Sequence, residues 1–345
     1  MIPITGQTQL TGLLGSPVKH SISPMMHNTG FQALGLDFVY LCFDVNEGTL
    51  KDAVKGLRAL GVKGFNLTMP NKNKILDYLD DLSPAAGLIG AVNTVENRDG
   101  KLVGHNTDGI GFMRAVREQE IDVRGKNITL MGIGGAATAI CTQAALDGAG
   151  KIDVYARMTS RFLPRMKDLI GRLEKETGCV ICLCDNEDKD GLKRSLEDSV
   201  LVVNATSVGM APDEDGCILP GKDFLHEGLA VGDIVYNPWE TKLLRMAKEM
   251  GCKGFNGYAM LLYQGAEAFR IWTGREMPME VVRERLGNRW LADGEERAGG
   301  GMPLRPARAP CVSANLLPVT RFVSNDFLTK CLGQVDLRLT PLNLA

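Results

Sequence analysis

The apolar run Asn127-Ile128-Thr129-Leu130-Met131 leads straight into Gly132-Ile133-Gly134-Gly135-Ala136-Ala137, and an alanine-rich stretch to Asp147 follows. This strand, glycine turn and helix start constrain the fold more than any other feature, because each small residue has a steric task. Gly132 permits the tight turn, Gly134 lets backbone approach a pyrophosphate, and Ala137 lets helix and strand pack closely. Free N–H groups at the helix start then face the phosphates. A plain glycine-rich turn in an α/β domain reads similarly, so the neighbouring elements must support it. Strand-like runs at 152–155, 179–183, 201–205, 231–236 and 253–256 alternate with helical stretches. That alternation implies a parallel sheet covered on both faces.

The end of the next strand chooses between cofactors. It reads Tyr155-Ala156-Arg157-Met158-Thr159-Ser160-Arg161, with no acid to meet ribose hydroxyls. Arg157 and Arg161 can clamp a 2′-phosphate, with a hydroxyl from Thr159 or Ser160, so NADP is favoured over NAD. Solvated arginines in a surface loop are the other reading.

Before this unit, strands are expected at 10–14, 38–45 and 63–68, and a hairpin joins 91–96 to 102–105 through Asn97-Arg98-Asp99-Gly100. Ser23-Pro24 should open a helix with Ser23 as its cap. A second helix spans 49–60 and stops at Gly61. Pro70 should begin another with Lys72 just inside it, and Asp108 a fourth, running to about residue 119. Helices at 258–273 and 280–286 are expected to fold back across the first domain. The predicted class is α/β in two domains with a cleft between them. Residues 1–110 plus 257–290 form an α/β substrate-binding catalytic domain, and 111–256 a Rossmann-like, doubly wound NAD(P)-binding domain. Residues 291–345, with Gly299-Gly300-Gly301 and prolines at 303, 306 and 310, read as a disordered or atypical tail.

At 345 residues and 37.4 kDa the chain can bury two cores. A net charge of -2 calls for neither nucleic acid nor an anionic membrane, so a polar substrate must be met by local groups. No charged leader or bilayer-length apolar run is present. Nine scattered cysteines, an odd number, suit reduced thiols in the cytoplasm. Cys179-Val180-Ile181-Cys182 has ligand-like spacing without a second pair, so a buried strand is preferred and no metal is expected.

Two further features bear on chemistry. Ser21 and Ser23 place hydroxyls at a helix N-terminus, where a carboxylate is welcome, although serine before proline also serves as a bare cap. Lys72 and Asp108 follow separate strand ends. They suit a general acid–base pair if the ends converge, and a surface ion pair if not.

Taken together the motifs carry more weight. The stretches from Gly12 to Pro24 and from Gly64 to Lys72, Gly90-Ala91-Val92-Asn93-Thr94 and His105-Asn106-Thr107-Asp108-Gly109 resemble the shikimate dehydrogenase family. So do Asn204-Ala205-Thr206-Ser207-Val208-Gly209-Met210, Val235-Tyr236-Asn237-Pro238 and the stretch from Gly257 to Gly265. The likeness runs in order from about residue 9 to Gly287. With Ser83-Pro84-Ala85-Ala86 and Met69-Pro70-Asn71-Lys72, it looks most like the quinate/shikimate dehydrogenase branch.

The resemblance implies reversible hydride transfer between a nicotinamide and the C3 hydroxyl of shikimate or quinate, giving 3-dehydroshikimate or 3-dehydroquinate. It implies Lys72 and Asp108 as catalytic residues, and Ser21 and Ser23 on the substrate carboxylate. Thr68, Asn93 and Asp108 would meet the ring hydroxyls, and Gln264 would reach in from the C-terminal helix. Tyr40, Asn66 and Tyr236 are weaker candidates for the cleft wall. Gly132, Gly134, Gly135, Ala136, Ala137, Arg157, Arg161, Thr206, Tyr236 and Gly257 fall to the cofactor. A monomer or homodimer is expected. Two departures touch the cofactor site: Ala156 stands where the family usually has asparagine, and Met158 where it has threonine. The alternative is a non-catalytic regulatory protein of the same fold that binds shikimate or quinate; retention of both Lys72 and Asp108 disfavours it.

Overall fold

A computed structural model describes residues 3–287, and the expectations for residues 291–345 lie outside them. Among the described residues the first sheet holds β1 (Gln9–Gly15), β2 (Phe38–Asp44), β3 (Gly64–Leu67), β4 (Asp81–Leu82), β5 (Thr94–Arg98) and β6 (Lys101–His105). Their spatial order is β2-β1-β3-β5-β6-β4. β1 pairs in parallel with β2 and β3, and the crossovers are α1 (Ser23–Ala33) and α2 (Leu50–Ala59). β5 runs antiparallel to both β3 and β6. Arg98 pairs with Lys101, so only Asp99 and Gly100 turn the hairpin, at φ of 52° and 91°. That is the mirror-image two-residue turn, tighter than the four residues expected. After β4, Ser83 caps the short helix α3 (Pro84–Ile89) by accepting the Ala86 N–H.

The second sheet is wholly parallel: β7 (Asn127–Met131), β8 (Lys151–Ala156), β9 (Val180–Asp185), β10 (Ser199–Asn204), β11 (Ala230–Asp233) and β12 (Gly254–Phe255). Its order, β12-β11-β10-β7-β8-β9, reverses direction between β7 and β10. This is the doubly wound arrangement, whose ligand crevice lies at that switch point. Between its strands run α5 (Gly135–Leu146), α6 (Leu163–Thr177), α7 (Lys189–Asp198) and α8 (Lys242–Glu249).

Two helices join the sheets, α4 (Asp108–Glu118) and α9 (Tyr258–Thr273). Small residues set their spacing. A Cβ on Gly109 would lie 2.3 Å from the Ala139 carbonyl on α5, and one on Gly111 2.6 Å from the Gln264 nitrogen on α9. α4 thus closely approaches the backbone of α5 on one side and of α9 on the other. Residues 279–287 are again helical.

Two expected helix starts differ. Ser23 does not cap α1: Ile22 holds the cap position, and the Ser21 hydroxyl accepts the Ser23 N–H at 3.2 Å. That local serine turn leaves the Ser23 hydroxyl with no cap hydrogen bond to make. Pro70 opens no α-helix; residues 69–73 form turns, followed by a 3₁₀ helix over Lys74–Tyr78. The Lys72 carbonyl accepts the Val92 N–H at 2.8 Å, so a neighbouring segment takes the partner a helix would need. β11 stops at Asp233, which puts Tyr236 in a loop instead of a strand. Cys182 lies within β9 and Cys179 is buried just before it; all seven described cysteines are free thiols.

Candidate active site

The loops leaving β1, β3 and β6, with the segment that enters β5, surround a cavity of about 470 Å³, within the range of small-molecule sites. Ser21, Ser23, Thr68, Lys72, Asn93 and Asp108 line it from the first half, with Asn66 at its floor. Gln264 and Met260 close it from α9, while Ile234, Tyr236 and Gly257 form the edge toward the second sheet. A Cβ on Gly257 would fall 1.9 Å from the Ile234 carbonyl, so only glycine lets α9 start this close to the exit of β11.

Lys72 and Asp108 meet in this cavity. The turn after β3 carries the lysine, the segment after β6 delivers the aspartate to the first residue of α4, and Lys72 Nζ donates to Asp108 Oδ2 at 2.6 Å. The ammonium side chain is 33% exposed and the carboxylate 12%, so the pair sits at the mouth with its acid on the inside. The partly positive start of α4 favours the carboxylate charge there. An ammonium held by a fixed carboxylate beside a cavity can give a proton to a ligand oxygen, and the neutral amine that results can take one back.

Amides hold the pair in place. Asn93 Nδ2 donates to Asp108 Oδ1 at 2.8 Å and lies 3.3 Å from Gln264 Oε1. Asn93 Oδ1 accepts the Thr107 N–H at 2.8 Å, which fixes the backbone just before Asp108. Asn66 Nδ2 donates to the Asn93 carbonyl and to Thr94 Oγ1, and the Tyr40 hydroxyl donates to Asn66 Oδ1 at 2.8 Å. Tyr40 therefore does not stand on the cleft wall. It is fully buried and stacked on His27, with ring centroids 4.3 Å apart, and burial raises its phenol pKa well above the usual value. Its link to the site runs through Asn66. Asn106 and Thr107 also brace the site but were not singled out as functional in the sequence. Their position in the His105–Gly109 motif was the available signal.

The glycine turn lies outside the cavity. Gly132 has φ +111°, and a Cβ there would meet both the Ala205 carbonyl and Thr206 Cγ2 at 2.9 Å. Thr206 thus stands against the turn, with its hydroxyl donating to Asn204 Oδ1 at 2.7 Å. Asn204 in turn donates to Asp233, which burial pushes up in pKa and which also accepts from Val235 N–H and Thr241. Cβ atoms on Gly134 and Gly135 would meet nothing within 4 Å, while Ala137 is fully buried against the sheet and Ala136 is half-buried. The start of α5 therefore opens onto free space lined by backbone, which fits a pyrophosphate. Arg157 and Arg161 are exposed beyond β8; among the described residues neither pairs with a carboxylate, and Arg161 lies over the Phe162 ring at 4.9 Å. Two guanidiniums four residues apart in this loop, unpaired among the described residues, fit a phosphate on the adenosine ribose.

Residues 13–95 match the family described as the shikimate dehydrogenase substrate binding domain, and residues 257–286 the shikimate 5'-dehydrogenase C-terminal domain. The chain is 50% identical over 283 residues to a shikimate dehydrogenase (NADP(+)) of Listeria innocua, covering 82% of this chain and 97% of the relative. It is 48% identical over 289 residues to one of the same name from Streptococcus pyogenes, covering 83% and 99%. Among solved structures, the shikimate 5-dehydrogenase of Listeria monocytogenes in complex with shikimate and NAD superposes with a TM-score of 0.80 at 50% identity, covering 82% of this chain and 98% of that one.

Proposed function

Because the chain belongs to the shikimate dehydrogenase family, we propose that it interconverts the C3 hydroxyl of shikimate and the ketone of 3-dehydroshikimate with NADP as its cofactor. It is an oxidoreductase acting on a CH–OH group. Relatives at 50% and 48% identity carry the shikimate and NADP(+) names, which favours shikimate over quinate as the main substrate. The observation that carries the mechanism is the 2.6 Å contact of Lys72 with Asp108 on the cavity wall.

The substrate carboxylate binds Ser21 and Ser23 at the start of α1, which sets which ring hydroxyl lies at Lys72. Thr68, Asn93 and Gln264 take the remaining hydroxyls, and Asp108 bonds both the lysine and the substrate. In oxidation Lys72 as the neutral amine receives the hydroxyl proton and becomes the ammonium; in reduction the ammonium gives its proton to the ketone oxygen and becomes the amine, with Asp108 keeping the group in place. The bound nicotinamide supplies the hydride chemistry, and the protein supplies orientation and the proton path. Gly132, Gly134, Gly135, Ala136 and Ala137 would hold the pyrophosphate with Thr206 beside them. Arg157 and Arg161 would hold the 2′-phosphate, and Tyr236 and Gly257 the edge where cofactor and substrate sites meet.

The proposed domain division, 1–110 with 257–290 against 111–256, is supported by the first sheet ending at His105 and the second beginning at Asn127. We propose cytoplasmic residence, which the free thiols of the seven described cysteines support. Among the described residues no helix is long and apolar enough to cross a membrane. A monomer or homodimer is proposed, to be told apart by sedimentation velocity. The functional test is a rate comparison of shikimate and quinate, each with NADP and NAD, followed by nicotinamide absorbance. Shikimate with NADP is expected to be fastest; no turnover of shikimate with either cofactor would overturn the reading.

A further inference from the structure

Two arginines of α6 reach out of the cofactor half and bind the end of a helix in the substrate half. Arg165, in the first turn of α6, donates to the carbonyls of Ile89 at 2.6 Å and Gly90 at 3.3 Å. Arg172, two turns later, donates to those of Gly87 at 3.2 Å and Leu88 at 2.9 Å. These four consecutive carbonyls close α3, where Gly90 takes φ +66°, and such terminal carbonyls have no partner inside their own helix. Here the other half of the molecule satisfies them.

The segment that follows is the common support of the active site. The Gly90 carbonyl also accepts from Asn73 Nδ2 at 2.9 Å, beside Lys72, and the Ala91 carbonyl from Asn106 Nδ2 at 3.0 Å, near Asp108. Val92 N–H donates to the Lys72 carbonyl at 2.8 Å, and Asn93 reaches the Asp108 carboxylate at 2.8 Å. Four successive residues therefore hold the lysine turn, the approach to the aspartate and the aspartate itself. Arg165 grips the first of them.

Arg165 lies four residues past Arg161, which precedes the helix. Ser160 N–H donates to the Arg157 carbonyl at 3.0 Å, Leu163 N–H to that of Ser160 at 3.1 Å, and Met166 N–H to that of Phe162 at 3.0 Å. This unbroken series of turns makes the arginine loop and the start of α6 one piece, so an anion gripped by Arg157 and Arg161 also fixes Arg165.

We propose that Arg165 is a positioning residue that couples occupancy of the 2′-phosphate site to the geometry of Lys72, Asp108 and Asn93, with Arg172 anchoring the same contact. NADP(H) then tightens shikimate binding, and NAD(H), lacking that phosphate, does so less. This rests on the NADP–shikimate reading above.

The test uses NADPH and shikimate, both reduced and therefore unreactive together. Shikimate is titrated calorimetrically into the wild-type enzyme alone, with saturating NADPH and with saturating NADH, and the series is repeated on Arg165→Met. Wild type should show tightening by NADPH within the usual coupling range of about 5–150-fold, and less by NADH. In Arg165→Met the tightening should fall to near unity while NADPH still binds and the thermal melt remains cooperative. Arg165→Lys keeps the charge but offers one ammonium instead of a two-pronged donor. It should fall between the two, and it carries the same comparison if the methionine variant does not fold. Tightening that is absent in wild type, equal for NADH and NADPH, or unchanged in the variants overturns the role of Arg165. Wild-type shikimate oxidation is assayed in parallel. An inactive wild type would defeat the functional reading itself, whereas an active one with unaltered coupling defeats only this inference.

Discussion

His27 shows how a buried side chain can bear on stability without touching the cleft. It is fully buried between Tyr40 and the rings of Phe31, Phe269 and Trp272, and neither ring nitrogen has a hydrogen-bond partner among the described residues. Burial therefore lowers its pKa from 6.5 to about 3. Between those values the unfolded chain binds a proton that the native chain refuses, so stability is full above pH 6.5 and is lost as pH falls toward 3. The slope from one such proton is about 1.4 kcal/mol per pH unit. Urea unfolding across this window should show His27→Phe losing less stability per pH unit than wild type; identical slopes would mean that His27 is protonated in the fold. The residue types of the site were legible from the sequence because their chemistry is conspicuous: a lysine after one strand end, an aspartate after another, and hydroxyls beside a proline. What could not be read was depth. Tyr40 carries a hydroxyl like any cleft tyrosine, and only the stack of His27 and the bond to Asn66 put it behind the floor.

At the scale of elements, legibility followed how local the determinants are. The span Tyr258–Thr273 agrees with its apolar pattern, and Gly274 at φ +67° ends it as glycine does after a helix. The strand, glycine turn and helix start around Gly132 is equally local. The turn at Lys72 is not, because its carbonyl bonds to Val92 twenty residues on, and a proline in the sequence says nothing about that. Nor did the pattern expose α3 as a contact between halves, since its partners, Arg165 and Arg172, lie more than seventy residues away. The glycines of α4 belong here too: they lower helix propensity, and the structure gives the compensating reason, close approach to α5 and α9. Gly111→Ala would push a methyl to 2.8 Å from the Met260 carbonyl as well as onto the Gln264 nitrogen, both backbone atoms that cannot rotate away. Overpacking of this kind costs about 1–3 kcal/mol, and the displacement of α9 should also raise KM for shikimate. Urea unfolding with parallel kinetics checks both; a stability gain, as at a free helical glycine, would contradict the close packing.

The described residues form two sheets joined by α4 and α9, with the cavity on one side of the joint and the glycine turn on the other. The division of labour was visible in the order of motifs along the chain, since substrate-side motifs come first, the glycine turn follows, and the closing helix returns. How the halves communicate was not visible, because it depends on side chains such as Arg165 that belong to no motif. The account turns on one event in that cavity: a proton moving at Lys72 while Asp108 holds the ammonium at 2.6 Å. Its most direct test is the turnover of shikimate with NADP by Lys72→Ala, with folding checked by thermal melting. The account predicts a drop in kcat of about 10²–10⁴-fold with the melt preserved, as for loss of one proton-transfer group. A folded variant that turns over at nearly the wild-type rate would contradict it.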